Sequence, residues 1–351
     1  MKSFSFATLS HQMQEAWRNL PKPAKIALGF VFVVYLYVLP YHPILPFIRT
    51  PDSDFASVLS DQVIRFVLVG LGLNIVVGEA GLLDLGYVGF YAVGAYTTAV
   101  LSSQHASLPW LLCLPISIAV SMLAGVILGA PTLRLRGDYL AIVTLGFGEI
   151  IRITANNVGW LGGASGIQNI KHPPTLFGLK FLSGQPAHHY WLGLSFVIII
   201  LYVLSRIKRS RVGRAWTAIR EDEDAAELMG VPTFQFKLWA FAIGAAVGGL
   251  AGALYAGKVG FINPDTFPLL DSILFLAAVV LGGAGNMPGV ILGAIAVGYL
   301  PERLRGFSDK RVFVFGVVLV LMMVFRPGGL LPRRVGARHT VDAVAPEEAG
   351  S

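Results

Sequence analysis

The strongest constraint on this chain is the repetition of one kind of segment, a mostly apolar stretch of about 20 residues, the length a helix needs to cross a hydrocarbon layer of roughly 30 Å. Set against their polar breaks, these stretches predict about ten transmembrane helices. They run over residues 26 to 46, 56 to 77, 81 to 103, 109 to 130, 138 to 154, 190 to 207, 237 to 257, 268 to 283, 288 to 304 and 312 to 326. Only 13% of the 351 residues are charged, against about 25% in soluble domains. The expected fold class is therefore all-α, a polytopic membrane helix bundle. Glycines and prolines inside or beside the apolar stretches suit close helix packing and broken helices.

One stretch is ambiguous. "DSILFLAAVVLGGAGNMPGVILGAIAVGYL" reads as one long helix, as two spans, or as two half-spans meeting at 282 to 288. Two spans fit the charges better, because a single span would move Arg326, Arg333, Arg334 and Arg338 to the outer side. An even count then puts both the N- and C-termini in the cytoplasm. Residues 1 to 25 form a cytoplasmic segment without a signal-peptide pattern, so the first span is expected to stay as a membrane helix. Residues 26 to 332 form the membrane domain, with a periplasmic loop at 155 to 189 and a cytoplasmic loop at 208 to 236. Residues 333 to 351 read as a disordered tail.

The net charge of +7 sits beside apolar segments rather than along a soluble face, so it reads as orientation charge and not as a nucleic-acid surface. Cys113 is the only cysteine, which rules out an internal disulfide or a cysteine metal cluster.

The cytoplasmic loop is too long to be a plain connector. "SRVGRAWTAIREDEDAAELMG" is rich in helix formers, ends on Gly230 where a C-terminal cap belongs, and is followed by Pro232. It predicts a short helix lying against the membrane face, a shape a soluble partner can grip. The plain alternative is a charged loop that keeps the turn solvated.

This segment resembles the EAA loop of ABC importer permeases, with Asp224, Ala225, Ala226 and Gly230 matching and Asp standing where the motif has Glu. The resemblance covers almost the whole chain. "LNIVVGEAGLLDLGYVGFYAVGAYTTAVL", "PTLRLRGDYLAIVTLGFGEIIRI", "AFAIGAAVGGLAGALYA", "GFINPDTFPLLDSILFLAAVVLGGAGNMPGVILGA" and "FRPGGLL" are similar to the LivM-type permeases of branched-chain amino acid ABC importers. Glu79 departs from the family, which usually has an apolar or small residue there.

The resemblance implies a permease subunit in the bacterial inner membrane that moves leucine, isoleucine, valine or related amino acids inward. It implies a second, LivH-like permease, two ABC ATPases of the LivG and LivF kind, and a periplasmic substrate-binding protein. ATP and magnesium would sit on the ATPases and no cofactor on this chain. Arg220, Glu221, Asp222, Glu223, Asp224, Ala225, Ala226 and Gly230 would form the helix coupled to the ATPase, with the carboxylates meeting basic groups there. Permeases for urea or short amides in the same family, and a gradient-driven secondary transporter, are the alternatives.

Inside the spans, each ionisable side chain is expected to face protein or water. Asp61 with Arg65, at i,i+4, and Glu149 with Arg152, at i,i+3, read as internal pairs. Asp84 has no base within a turn. With Tyr87 and Tyr91 it forms one stripe backed by Asn74, a candidate translocation path; alternatively Asp84 caps the helix after the break at 78 to 81. Gly244, Gly248 and Gly252 make a groove for a neighbouring helix.

Other signals fail. "GALYAGKV" approaches the phosphate-loop pattern but has Val259 where a hydroxyl is needed and no strand before it. "GLGLNI" lacks the third glycine of a dinucleotide fold. His188 and His189 have no second pair at metal-ligand spacing. No catalytic constellation assembles, so the chain is expected to be a transport subunit rather than an enzyme.

Overall fold

The computed structural model describes residues 21–41, 54–103, 106–133, 135, 138–175, 178, 179, 181, 184–303, and then 313, 316, 317, 320, 321, 324, 325 and 328–331. Most of the expected span at 312 to 326, and the tail at 333 to 351, lie outside the described residues. The chain divides into two units, Met1–Thr50 and Pro51–Ser351. The first contains α1 (Lys22–Val38), an apolar helix whose Leu28, Phe30, Val31 and Phe32 are exposed.

The second unit is an all-helical bundle. Its helices are α2 (Phe55–Glu79), α3 (Val88–Ser102), α4 (Trp110–Thr132), α5 (Asp138–Asn157), α6 (Pro186–Lys208), α7 (Arg211–Glu221), α8 (Glu223–Leu228), α9 (Thr233–Val259), α10 (Leu269–Gly282) and α11 (Met287–Arg303). Among the described residues five helical segments are long and apolar enough to cross a bilayer unaided: α2, α4, α6, α9, and α10 together with the 3-10 turn before it. The others fall short for identifiable reasons. Residues 80 to 87 are not helical, which leaves α3 with 15 residues instead of the span predicted from 81. α5 carries Glu149 and Arg152 along its length.

α9 is the centre of the unit and packs against α4, α3 and α2. Small residues permit this: Ala240, Ala245, Gly248, Gly252 and Ala256 are all buried along it. Without a hydrophobic force between helices in lipid, contact area gained by close backbone approach is what holds such a bundle. α2 opens with an α turn at Phe55–Val58 and carries two π-helical turns, Leu59–Val63 and, at its far end, Asn74–Glu79, on either side of ordinary α-helix. Such turns often mark functional positions.

The ambiguous stretch is two helices. α10 and α11 form an antiparallel hairpin broken at "GAGN", where Gly283 and Gly285 both adopt positive φ. Leu330 and Leu331 close this turn by donating to the carbonyls of Leu281 and Gly282 at 2.8 and 3.1 Å.

Candidate functional site

The cytoplasmic-loop helix predicted as one piece is two. α7 is amphipathic, with Ala215, Trp216 and Ile219 buried on one side, the i, i+3, i+4 spacing of a helix lying on a packed surface. It stops because Asp222 swings to an extended conformation, φ −158°. From there the Asp222 carboxylate accepts the Ala225 N–H at 2.9 Å and caps α8, as Asp does well at a helix start. Glu223 and Asp224 follow in the first turn, where the helix dipole favours negative charge. The far end closes as a Schellman motif: Gly230 N–H donates to Glu227 O at 2.9 Å and Val231 N–H to Ala226 O at 3.0 Å, with Gly230 at φ 83°. An L-residue side chain is disfavoured there by roughly 1–2 kcal/mol.

Two contacts bolt this hairpin to α9. The Trp216 indole N–H donates to Phe236 O at 2.7 Å, and Glu223 pairs with Lys237, whose side chain is only 4% exposed. Three of the predicted residues make contacts within their own chain. Glu223 is held by a lysine of its own chain, Asp222 is used as a cap, and Arg220 turns inward onto the carbonyl of Gly78. Glu221, Asp224 and Ala225 are exposed, and Ala226 is buried under the helix. The end of the hairpin presents two apolar side chains as well: Leu228 is 88% and Met229 85% exposed.

The predicted stripe of Asp84, Tyr87 and Tyr91 is also corrected. α3 begins only at Val88, so Asp84 lies in irregular backbone. Side chains hold three amides at this point, two of these side chains coming from other helices. Leu85 N–H donates to Thr144 Oγ1 at 3.1 Å, Gly86 N–H to Asp84 Oδ1 at 2.8 Å and Val88 N–H to Ser272 Oγ at 2.9 Å. Asp84 thus closes a turn onto Gly86 rather than capping α3 at its N-terminus. It is fully buried, and its Oδ2 has no hydrogen-bond partner. Tyr87 donates to Gly244 O. Tyr91 packs its ring against Tyr255, Phe267 and Phe275. Asn74 Oδ1 accepts the Gly285 N–H at 2.8 Å. These four are packed into the bundle, and none lines an open passage in this structure.

Gly244, Gly248 and Gly252 lie along the face of α9 turned to α2 and α3. A methyl group at Gly248 would touch the Tyr87 hydroxyl at 3.2 Å, and one at Gly252 would strike the backbone of Tyr91 and Ala95.

Of the two intraspan pairs, Glu149 with Arg152 is present at 2.5 Å. Asp61 and Arg65 are not paired with each other. Lys258 reaches Asp61, and Arg65 pairs with Asp271 at 3.4 Å. The cause is the π turn over 59 to 63, in which i,i+5 contacts replace the i,i+4 alignment.

Sequence reading missed an apolar cavity of about 340 Å³ between α3, α4 and α5, lined by Val93, Tyr96, Val100, Val120, Ile151 and Trp160 among others. Its lining comes from separate stretches of the chain and has meaning only once the helices are placed. Among the described residues no three His, Cys, Asp or Glu side chains are grouped to hold a metal.

A helical bundle with several apolar helices of bilayer length defines a multi-pass membrane protein. The family model described as "Branched-chain amino acid transport system / permease component" matches residues 57–326, and the chain belongs to that family. It is 45% identical over 289 residues to the high-affinity branched-chain amino acid transport system permease protein LivM of Salmonella typhimurium, covering 76% of this chain and 68% of that protein. Identity to the protein of the same name from Escherichia coli is 46%, with the same coverage. To the permease protein BraD of Pseudomonas aeruginosa it is 28% over 301 residues, covering 76% of this chain and 92% of the other. No solved structure matches the chain.

Proposed function

We propose that the chain is one permease subunit of an ABC importer that carries branched-chain amino acids across the bacterial inner membrane. A LivH-like permease completes the membrane part, two LivG- and LivF-like ATPases bind and hydrolyse ATP with magnesium, and a periplasmic binding protein delivers substrate. Both termini, α7 and α8 face the cytoplasm. The observation that carries the reading is the α7–α8 hairpin, a capped six-residue helix held on α9 and ending in the exposed pair Leu228 and Met229. Such a tip fits an apolar slot in a soluble subunit, while the neighbouring carboxylates suit a basic rim. This chain needs no nucleotide loop of its own in that arrangement.

The experiment is affinity purification of the tagged chain in mild detergent from its native host, followed by uptake of labelled leucine into cells. Recovery of two ATPases and a second permease, with uptake abolished by ATP depletion and competed by isoleucine and valine, is expected. A chain recovered alone, with leucine uptake collapsed by an uncoupler while ATP is maintained, would overturn the reading in favour of a secondary transporter. Competition by urea or short amides and not by amino acids would move the substrate within the family.

A further inference from the structure

Two cations, one at the end of α6 and one at the end of α7, reach the same two elements. Arg220, in the last turn of α7, directs Nη1 at the carbonyl of Gly78 in the second π turn of α2, and the same nitrogen lies 3.5 Å from the carbonyl of Ala284 in the α10–α11 turn. Lys208, the last residue of α6, bonds Glu79 in that π turn at 2.5 Å and the carbonyl of Gly285 in the α10–α11 turn at 2.8 Å. Asn74, in the π turn, accepts the Gly285 N–H and joins the two elements directly.

The fit is tight. Gly81 carries no side chain and sits at φ 75°, and a methyl there would approach Arg220 Cγ to 2.8 Å. Glu79 is 5% exposed and Lys208 37%, so the carboxylate is buried and its partner sits at the rim, where an amphipathic stem leaves the charge near water. Carbonyls at a wide helical turn and at a tight turn lack some of their intrahelical partners. A guanidinium answers two of them from one rigid head, which an ammonium does less well.

Only Glu221 and Asp222 separate Arg220 from α8. We infer that Arg220 and Lys208 are positioning residues that clasp the end of α2 to the α10–α11 turn, so that a displacement of α8 moves both elements together. The inference rests on the proposed role of α8 against an ATPase. It assigns to Arg220 and Lys208, neither of which is presented to that partner, the transfer of its motion to α2. It also gives Glu79 a part as the handle that Lys208 holds.

The test uses the whole transporter, purified with its ATPases and reconstituted in vesicles, and reads leucine transported per ATP hydrolysed beside the thermal stability of the complex. Arg220→Gln is expected to keep the ATPases bound and hydrolysing while transport per ATP falls about tenfold, and Arg220→Lys to recover part of the loss. Lys208→Gln with Glu79→Gln, which removes the charge pair without stranding either charge, is expected to lower the ratio about threefold with little change in melting. An unchanged ratio in Arg220→Gln overturns the inference, as does a loss of ratio that only tracks loss of stability across the set. If Arg220→Gln fails to accumulate, the Lys208 and Glu79 double variant decides by the same ratio. If the unaltered chain purifies without ATPases, the functional proposal falls first and takes the clasp with it.

Discussion

The hydroxyl of Tyr87 donates to the carbonyl of Gly244, 2.6 Å away, so the irregular segment leading into α3 is fastened to the middle of α9. Gly244 O also belongs to the backbone ladder of α9, so Tyr87→Phe removes a bond without orphaning the acceptor. The expected loss is about 1 kcal/mol, seen as a lower melting temperature in detergent. A drop of several times that size would mean the hydroxyl also organises its neighbours.

Asp84 leads to a prediction of opposite sign. Asn in its place keeps a side-chain oxygen for the Gly86 N–H and abolishes the carboxylate whose Oδ2 is buried without a partner. Because a buried charge with only partial compensation is costly, Asp84→Asn is expected to hold or raise the melting temperature, whereas Asp84→Leu, which also loses the turn, lowers it. Destabilisation by Asp84→Asn would show that the charge itself is used.

The Glu223 and Lys237 pair is lopsided, with side-chain exposures of 30% and 4%. Removing the lysine leaves a carboxylate that water can reach; removing the carboxylate strands an ammonium inside protein. Glu223→Ala should therefore cost about 3 kcal/mol and Lys237→Met about 1 kcal/mol. Equal losses in unfolding titrations would contradict this account of the pair.

Gly252 faces the backbone of α3 so closely that any side chain collides with it. Gly252→Val is expected to force α3 and α9 apart, at a cost of about 1–3 kcal/mol, and to cut the amount of folded protein recovered by size-exclusion chromatography. Gly230→Ala meets nothing within 4 Å, and its cost of about 1 kcal/mol comes from backbone conformation alone.

Leu228 and Met229 touch little of their own chain. Leu228→Ser with Met229→Ser should leave melting within about 0.5 kcal/mol of the unaltered protein and reduce copurification of the ATPases at least tenfold. Undiminished recovery of the partners would remove the tip from the proposed interface.

Much of the architecture was legible because long apolar runs are local. α2, α4, α6 and α9 announce themselves by length, and the stop at Gly230 by its glycine and the proline two residues on. A break at 78 to 81 was legible from its glycines, but its extension to residue 87 was not, since "GLLDLGYVGF" is as apolar as a helix would be and is held open by Thr144 and Ser272 from other helices. The same holds for charge. Spacing alone paired Asp61 with Arg65, and only the wide turn that contains Asp61 explains why each chose a different helix. Asp222, an acid followed by a short helical run, was a cap signal that went unread inside a cluster of five carboxylates.

The open segment at 80 to 87 bears on how the chain enters a membrane. Its amide groups cannot be left bare in hydrocarbon, where each unmatched one costs several kcal/mol. Yet Thr144 lies 59 residues beyond Leu85, and Ser272 lies 184 residues beyond Val88. The bonds that hold the start of α3 can therefore form only once α5 and then α10 have been made, so this segment is completed late in synthesis and not as a local unit.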